Sequence, residues 1–212
     1  MNMTPQQYVE YIERVADAIG AQGDYITALD SATGDGDHWL NLNIGYQKLM
    51  EQTEALKKFQ DFASLFKQLA RSIMTGMGGT SGALYGSMYL AAAKQLGEAK
   101  ELDRAGISKM LLCWAESIMQ RGNTKPGQKT MLDAVQPAAE AYAQALEAGQ
   151  ADHEALDALK KAAWAGAEDT KNMEAMRGRA SNQPGKGVGH LDPGAVTMAI
   201  QLECLAEYLK SL

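Results

Sequence analysis

The chain has 212 residues, of which 46% are hydrophobic and 22% are charged, as is usual for a globular protein. Its 20 basic and 26 acidic side chains give a net charge of −6, which argues against nucleic acid or an anionic membrane as the main partner. No apolar run approaches the ~20 residues of a membrane-spanning helix. We expect one domain over residues 1–212, in a cytoplasmic protein whose cysteines, Cys113 and Cys204, are small core residues.

Helix-favouring residues dominate, whereas the aromatic residues that sheets favour make up only 7% of the chain. Thr4 and Pro5 predict a capped helix start, and apolar residues then recur at helical spacing from Tyr8 to Ile19. Further stripes predict helices near residues 62–73, 84–96, 107–120, 130–147, 152–173 and 196–212, and the last is broad enough to be buried on two sides. The sequence therefore predicts an all-α protein with about eight major helices.

Four segments interrupt this pattern and concentrate glycine, aspartate and polar residues. They are Asp30–Asn43, Thr75–Gly82, Gly122–Thr130 and Arg177–Gly194. The last, which we call the arginine loop, exceeds the ~2–8 residues that usually join helices in a bundle. If neighbouring helices run antiparallel, the four segments can gather at one end of the bundle, where we expect the functional site.

The first segment places three carboxylates, Asp30, Asp35 and Asp37, within eight positions. Carboxylates this close repel one another unless a cation lies between them, which favours a hard divalent ion. The pattern argues against an EF-hand loop, because counting from Asp35 puts Leu40 where that loop needs glycine, and no glutamate stands at the twelfth position from Asp30 or Asp35. Alternatively, Asp37 caps the helix that begins near Trp39 and Asp35 forms a side-chain turn. The residues alone leave both interpretations open.

The second segment, Thr75–Gly82, is rich in glycine and leads into a helix. Its backbone N–H groups are accessible to an anion, and a helix start favours negative charge. The alternative is a closely packed turn between two helices.

The arginine loop carries Arg177 and Arg179, whose forked donors suit phosphate oxygens, although a solvated basic turn is also consistent with them. It ends at Asp192 and Pro193, an N-cap and first-turn pair for the last helix. A metal-binding acidic segment, a glycine-rich anion site and an arginine loop together favour phosphoryl transfer, which depends on positioning and charge neutralisation.

Short blocks within these segments occur in a fixed order and resemble the nucleotide-binding L subunit of bacterial dihydroxyacetone kinase and the matching domain of single-chain kinases. The blocks are Leu29-Asp30, Gly34-Asp35-Gly36-Asp37-His38, Asn41 with Asn43, Gly78-Gly79-Thr80-Ser81-Gly82, Arg121-Gly122, Pro126-Gly127, Lys129-Thr130-Met131-Leu132-Asp133, Gly178-Arg179-Ala180-Ser181, and Gly189-His190 with Asp192-Pro193-Gly194.

The resemblance implies an antiparallel barrel of eight amphipathic helices with a nucleotide at its rim. Asp30, Asp35 and Asp37 would hold two Mg²⁺ ions that bridge the phosphates. The implied nucleotide contacts are His38, Asn41, Gly79, Thr80 and Ser81 at the phosphate end, Arg179 on the phosphates, Gly122 and Met131 beside the adenine, and Asp192 and Gly194 on the last helix.

The resemblance also implies a reaction that is shared between subunits. The bound nucleotide, ADP or its phosphorylated form ATP, would pass a phosphoryl group to dihydroxyacetone held on a partner K subunit. In the phosphotransferase-linked form, ADP stays bound and a phosphorylated M subunit recharges it. One alternative is the same chemistry on another short ketose such as erythrulose. A second is a nucleotide-loaded regulator without transferase activity.

Three positions depart from the family's usual pattern. The family usually has glycine at the position of Trp39, methionine at Leu42 and aspartate at Gln128. Trp39 directly follows the acidic segment, and we expect its bulk to restrict the rim or to stack on a partner. This residue is the reason for considering another ketose as acceptor.

Overall fold

In a computed structural model that describes residues 1–212, the chain forms ten α-helices and three short 3₁₀ turns. Eight of the helices have 13 to 19 residues, and two are shorter. The helices are α1 Pro5–Gly20, α2 Gly23–Ser31, α3 His38–Met50, α4 Thr53–Leu56, α5 Phe62–Gly76, α6 Gly79–Leu96, α7 Arg104–Gly122, α8 Leu132–Glu147, α9 Asp152–Asp169 and α10 Pro193–Lys210. The prediction of an all-α protein with about eight major helices is confirmed.

The eight long helices form a closed ring. Each packs against the next in the order α1, α3, α5, α6, α7, α8, α9, α10, and α10 returns to α1. At one end of the ring Met3 pairs with Leu102, and Arg104 at the start of α7 forms a 2.9 Å ion pair with Asp152 at the start of α9. Helices α3, α6, α8 and α10 begin at the opposite end, so the barrel is antiparallel as predicted.

The apolar side chains of these helices meet in one cluster of 56 buried residues. Helix α10 is buried on several sides by α1, α8 and α9, in agreement with its broad apolar stripe. Cys113 and Cys204 are only partly buried, so the expectation that both are core residues is wrong. Burial still raises the pKa of the Cys204 thiol to about 11. None of the helices combines the length and apolar content that crossing a membrane requires.

The predicted helix starts have the expected local chemistry. Thr4 Oγ1 accepts a hydrogen bond from the Gln7 amide, and the Gln7 side chain accepts one from the Thr4 amide in return. Asp61 and Asp192 likewise accept from backbone amides at the starts of α5 and α10. These bonds satisfy N–H groups that have no partner within the helix.

A polar network crosses the otherwise apolar core and is centred on Gln201 of α10. The Tyr46 hydroxyl donates to Gln201 Oε1 at 2.6 Å, and Gln201 Nε2 donates to the Tyr85 hydroxyl at 2.5 Å. The Tyr11 hydroxyl donates to the Gln201 carbonyl oxygen at 3.3 Å. Burial raises the pKa of Tyr85 to about 12, so its hydroxyl stays neutral. Because buried polar groups are costly when unpaired, this network fixes α1, α3 and α6 around α10.

The tightest approach between two helices joins α8 and α9. Pro137 lies inside α8 and has no N–H, so the Asp133 carbonyl oxygen loses its usual helical donor. Gly166 of α9 packs directly on that oxygen, and a Cβ at residue 166 would overlap it. The proline and the glycine together therefore allow the two backbones to come close.

We expect Gly166→Ala to lower the free energy of unfolding by about 1–3 kcal/mol, because the added methyl group forces α8 and α9 apart. The matched control is Gly20→Ala at the end of α1, where a Cβ would have its nearest neighbour at 3.9 Å. Urea unfolding followed by circular dichroism measures both variants. Equal midpoints for the two variants would contradict the close contact.

Candidate functional site

A cavity of about 430 Å³ opens at the end of the barrel where residues of the four glycine-rich segments meet. This volume lies within the range of small-molecule sites in proteins. All thirteen residues predicted for the site line it: Asp30, Asp35, Asp37, His38, Asn41, Gly79, Thr80, Ser81, Gly122, Met131, Arg179, Asp192 and Gly194. Positions from residue 30 to residue 194 thus share one cavity.

The three carboxylates of the acidic segment form a cluster at this cavity. Oxygen atoms of Asp30, Asp35 and Asp37 lie within 4.8 Å of one another. Asp30 is buried at the end of α2 and accepts a hydrogen bond at 3.0 Å from the His38 amide. Asp37 occupies the N-cap position of α3, but its side chain makes no capping bond. The interpretation of Asp37 as the side-chain cap of α3 is therefore wrong. Asp30 accepts the amide hydrogen at this helix start, and Asp37 lines the cavity instead.

The backbone of the acidic segment turns at Gly36, whose φ is +77°. A side chain there would be strained and would also approach the Ser31 hydroxyl. This turn brings Asp35 and Asp37 back toward Asp30.

The two arginines of the arginine loop differ in their contacts. Arg179 Nη2 lies 2.7 Å from Asp35 Oδ2, so it already supplies one positive charge to the acidic cluster. Arg177 instead donates from Nε to the Asn123 carbonyl oxygen at 2.7 Å. Both line the cavity, but only Arg179 forms an ion pair with the carboxylates.

His38 lies at the start of α3 with its Nε2 3.0 Å from Thr197 Oγ1. Thr197 Oγ1 also lies 3.2 Å from the Gly194 carbonyl oxygen. Burial lowers the pKa of His38, although the neighbouring carboxylates of Asp30 and Asp37 oppose the shift. This burial favours the neutral imidazole.

Four helices, α3, α6, α8 and α10, begin at the cavity. No side chain caps the N-terminus of α6, where Gly78 is the N-cap residue and Gly79, Thr80 and Ser81 form the first turn. The carboxamide of Asn41 packs against Gly78. Unpaired N–H groups and the helix dipole make such a terminus a suitable position for an anion.

Part of the cavity lining is apolar. Leu84, Ile118 and Met131 line it, and Gly122 lies beside Leu84. Leu84 and Ile118 were not among the predicted site residues. Helical spacing could have identified them, because Leu84 follows Ser81 by three positions and Ile118 precedes Gly122 by four.

Two ionisable side chains, Asp192 and Lys129, belong to the cavity wall. Asp192 caps α10 by accepting from the Ala195 amide at 2.8 Å, and burial raises the pKa of its carboxyl group to about 7. Lys129 is only 2% exposed, and it too was absent from the predicted site. Its only sequence signal is its place in the block Lys129-Thr130-Met131-Leu132-Asp133 of the family resemblance, and nothing local predicts its burial.

The three unusual positions lie in different environments. The Trp39 indole donates to the Ile19 carbonyl oxygen at 2.9 Å and packs between α1 and α2, outside the cavity lining. The expectation that it restricts the rim is therefore wrong, and its stacking on a partner stays a prediction. Leu42 is part of the buried core, and the Gln128 side chain accepts from the Lys125 amide at 3.0 Å, which orders its loop.

Comparison with known proteins places these features in a family. The family model described as "DAK2 domain" matches residues 32–207. The chain is 32% identical over 206 residues to the ADP-binding subunit DhaL of PEP-dependent dihydroxyacetone kinase from Escherichia coli (strain K12), with 97% of this chain and 98% of that subunit covered. It is also 31% identical to an L-erythrulose kinase from Pectobacterium atrosepticum, with 93% of this chain and 35% of that protein covered.

A solved structure has the same fold. It is the dihydroxyacetone kinase from C. freundii in complex with AMP-PNP and Mg²⁺, with a TM-score of 0.74 and 25% identity. The match covers 94% of this chain and 33% of that longer chain. The chain belongs to the DAK2 domain family, among the DhaL-type subunits of bacterial dihydroxyacetone kinases.

Proposed function

We propose that this chain binds a Mg²⁺–adenine nucleotide and transfers its phosphoryl group to dihydroxyacetone held on a partner K subunit. The proposal rests on one observation: three carboxylates and four helix N-termini lie at the same cavity. Carboxylates attract divalent cations, and helix N-termini attract phosphates. A metal–phosphate ligand satisfies both preferences at once.

The donor set fits magnesium. Asp30, Asp35 and Asp37 offer hard oxygen atoms, and the ion pair of Asp35 with Arg179 supports an affinity of this cluster for positive charge. We assign the three carboxylates to two Mg²⁺ ions. When bound, these ions neutralise the charge of the phosphate oxygens during transfer.

The remaining predicted residues divide between the two ends of the nucleotide. The first turn of α6, Gly79–Ser81, would bind phosphate through its amides, with His38, Asn41 and Arg179 around it. Gly122 and Met131, with the apolar side of the cavity, would border the adenine. Asp192 and Gly194 would close the cavity from α10.

The acceptor and the phosphoryl donor are assigned to other subunits. The Escherichia coli relative is named as the ADP-binding subunit of a PEP-dependent kinase, which supports a division of labour between chains. We propose a K subunit that holds dihydroxyacetone and an M subunit that recharges ADP while it stays bound. A second candidate acceptor is erythrulose, which the similarity to an L-erythrulose kinase favours.

Replacing one carboxylate should weaken nucleotide binding without disturbing the fold. Asp37→Asn leaves the helix start intact, because the Asp37 side chain makes no capping bond. We expect affinity for ADP with Mg²⁺ to fall at least about tenfold, the lower range seen when the environment of a bound metal is damaged. Isothermal titration calorimetry measures this, with exposed Glu98→Gln as the charge-matched control. Retained affinity in Asp37→Asn would refute the metal assignment.

The raised pKa of Asp192 should make the ligand-free protein less stable as pH rises. The folded chain holds its Asp192 proton up to about pH 7, whereas an unfolded aspartate releases it near pH 4. Stability from this group therefore falls between about pH 4 and 7 and levels off above. Asp192→Asn keeps the capping oxygen and should flatten this slope. Urea midpoints at pH 5 and pH 8 test it, and equal slopes in both proteins would contradict the shift.

The acceptor is tested by combining the purified chain with candidate K subunits, an M subunit and the phosphotransferase proteins that phosphorylate M from phosphoenolpyruvate. We expect phosphorylation of dihydroxyacetone, measured as phosphoenolpyruvate-dependent product formation. Turnover of erythrulose but not of dihydroxyacetone would favour the second candidate. Nucleotide binding without turnover of any ketose would instead support the regulatory alternative.

A further inference from the structure

Lys129 is the one basic side chain buried in the protein, at the base of the arginine loop. Its backbone is in the left-handed region, with φ of +60°, which residues other than glycine rarely adopt. A buried charge and a strained backbone both carry a cost, and such features persist where the surroundings hold them and cluster at functional sites. The assignments above give this residue no role.

The Lys129 ammonium group bonds to two backbone carbonyl oxygens that are distant in sequence. Nζ donates to Thr170, immediately after α9, at 2.5 Å, and to His190 in the arginine loop. The Thr170 hydroxyl in turn accepts from the Asp192 amide at 2.9 Å. One side chain thus joins the C-terminal end of α9 to the segment that leads into α10.

The aliphatic part of the Lys129 side chain, its stem, also contacts the arginine loop. Gly187 packs on it so closely that a Cβ there would lie 3.0 Å from Lys129 Cε. The same Cβ would lie 3.5 Å from Ala180 Cβ, next to Arg179. Burial lowers the pKa of Lys129, and the neighbouring acidic groups of Asp192 and Asp133 oppose this shift. Lys129 therefore lies between the two parts of the loop that carry Arg179 and Asp192.

We propose that Lys129 is a positioning residue that ties the arginine loop to the end of α9 and thereby places Arg179 and Asp192 at the cavity. The ammonium group satisfies backbone carbonyls and touches no reacting atom. The proposal rests on the nucleotide role proposed above for the cavity, because its benefit is measured as nucleotide affinity.

The test replaces Lys129 with methionine, which keeps the length of the stem and removes the donors. The matched control is Lys125→Met, an exposed lysine in the same segment. Trypsin cleaves after Arg177 and Arg179, so its rate at these bonds in the ligand-free protein reports opening of the loop. We expect cleavage in Lys129→Met to be about tenfold faster than in the parent, and unchanged in Lys125→Met.

Calorimetry with ADP and Mg²⁺ gives the second measurement. Lys129→Met should bind about tenfold more weakly, while its far-UV circular dichroism remains that of the parent. Unchanged cleavage, or faster cleavage with unchanged affinity, would overturn the proposal. A parent protein that binds no nucleotide would overturn the proposed function and the positioning role with it, whereas the cleavage rates would still measure the tether.

Gly187→Ala provides a second variant that leaves the buried lysine in place. Its Cβ would press on the Lys129 stem, and φ of +71° at this position adds strain. We expect the same faster cleavage after Arg177 and Arg179. Cleavage in Gly187→Ala at the rate of the parent would contradict the contact between the loop and the Lys129 stem.

Discussion

Closing eight helices into an antiparallel ring determines where this protein can bind anything. Alternate helices must begin at the same end, so α3, α6, α8 and α10 direct their N-termini toward one region. Their partial positive charges would repel one another without negative charge nearby. The acidic segment supplies it, and Asp30 does so directly by accepting the first amide hydrogen of α3. The position of the cavity therefore follows from the order and direction of the helices and does not depend on a ligand.

Much of the fold could be predicted because its determinants are local. Helical spacing, the Thr4 capping box and the N-caps at Asp61 and Asp192 depend on residues a few positions apart, and the structure reproduces them. The gathering of the four glycine-rich segments also followed from the alternation of helix directions. The positions of the site residues came from the ordered blocks of the family resemblance, and the chemical roles of those residues remain predictions.

What could not be predicted depends on contacts between distant parts of the chain. Local rules assigned the cap of α3 to Asp37, but a carboxylate from the preceding helix takes that place. Size alone gave Trp39 a role at the rim, although a carbonyl at the end of α1 holds its indole elsewhere. The burial of Lys129 depends on Thr170 and His190, which lie more than forty residues away and accept its protons.

The cavity wall begins at the end of α2 and is completed by the first turn of α10, so it contains both an early and a late part of the chain. The core network extends the same connection inward, since Tyr85 reaches the cavity and bonds to Gln201 of α10. Any occupant of this space therefore binds only the fully assembled barrel. By mass action, the free energy of binding adds to the free energy of unfolding. A ligand that saturates the cavity therefore raises the melting temperature of the whole chain.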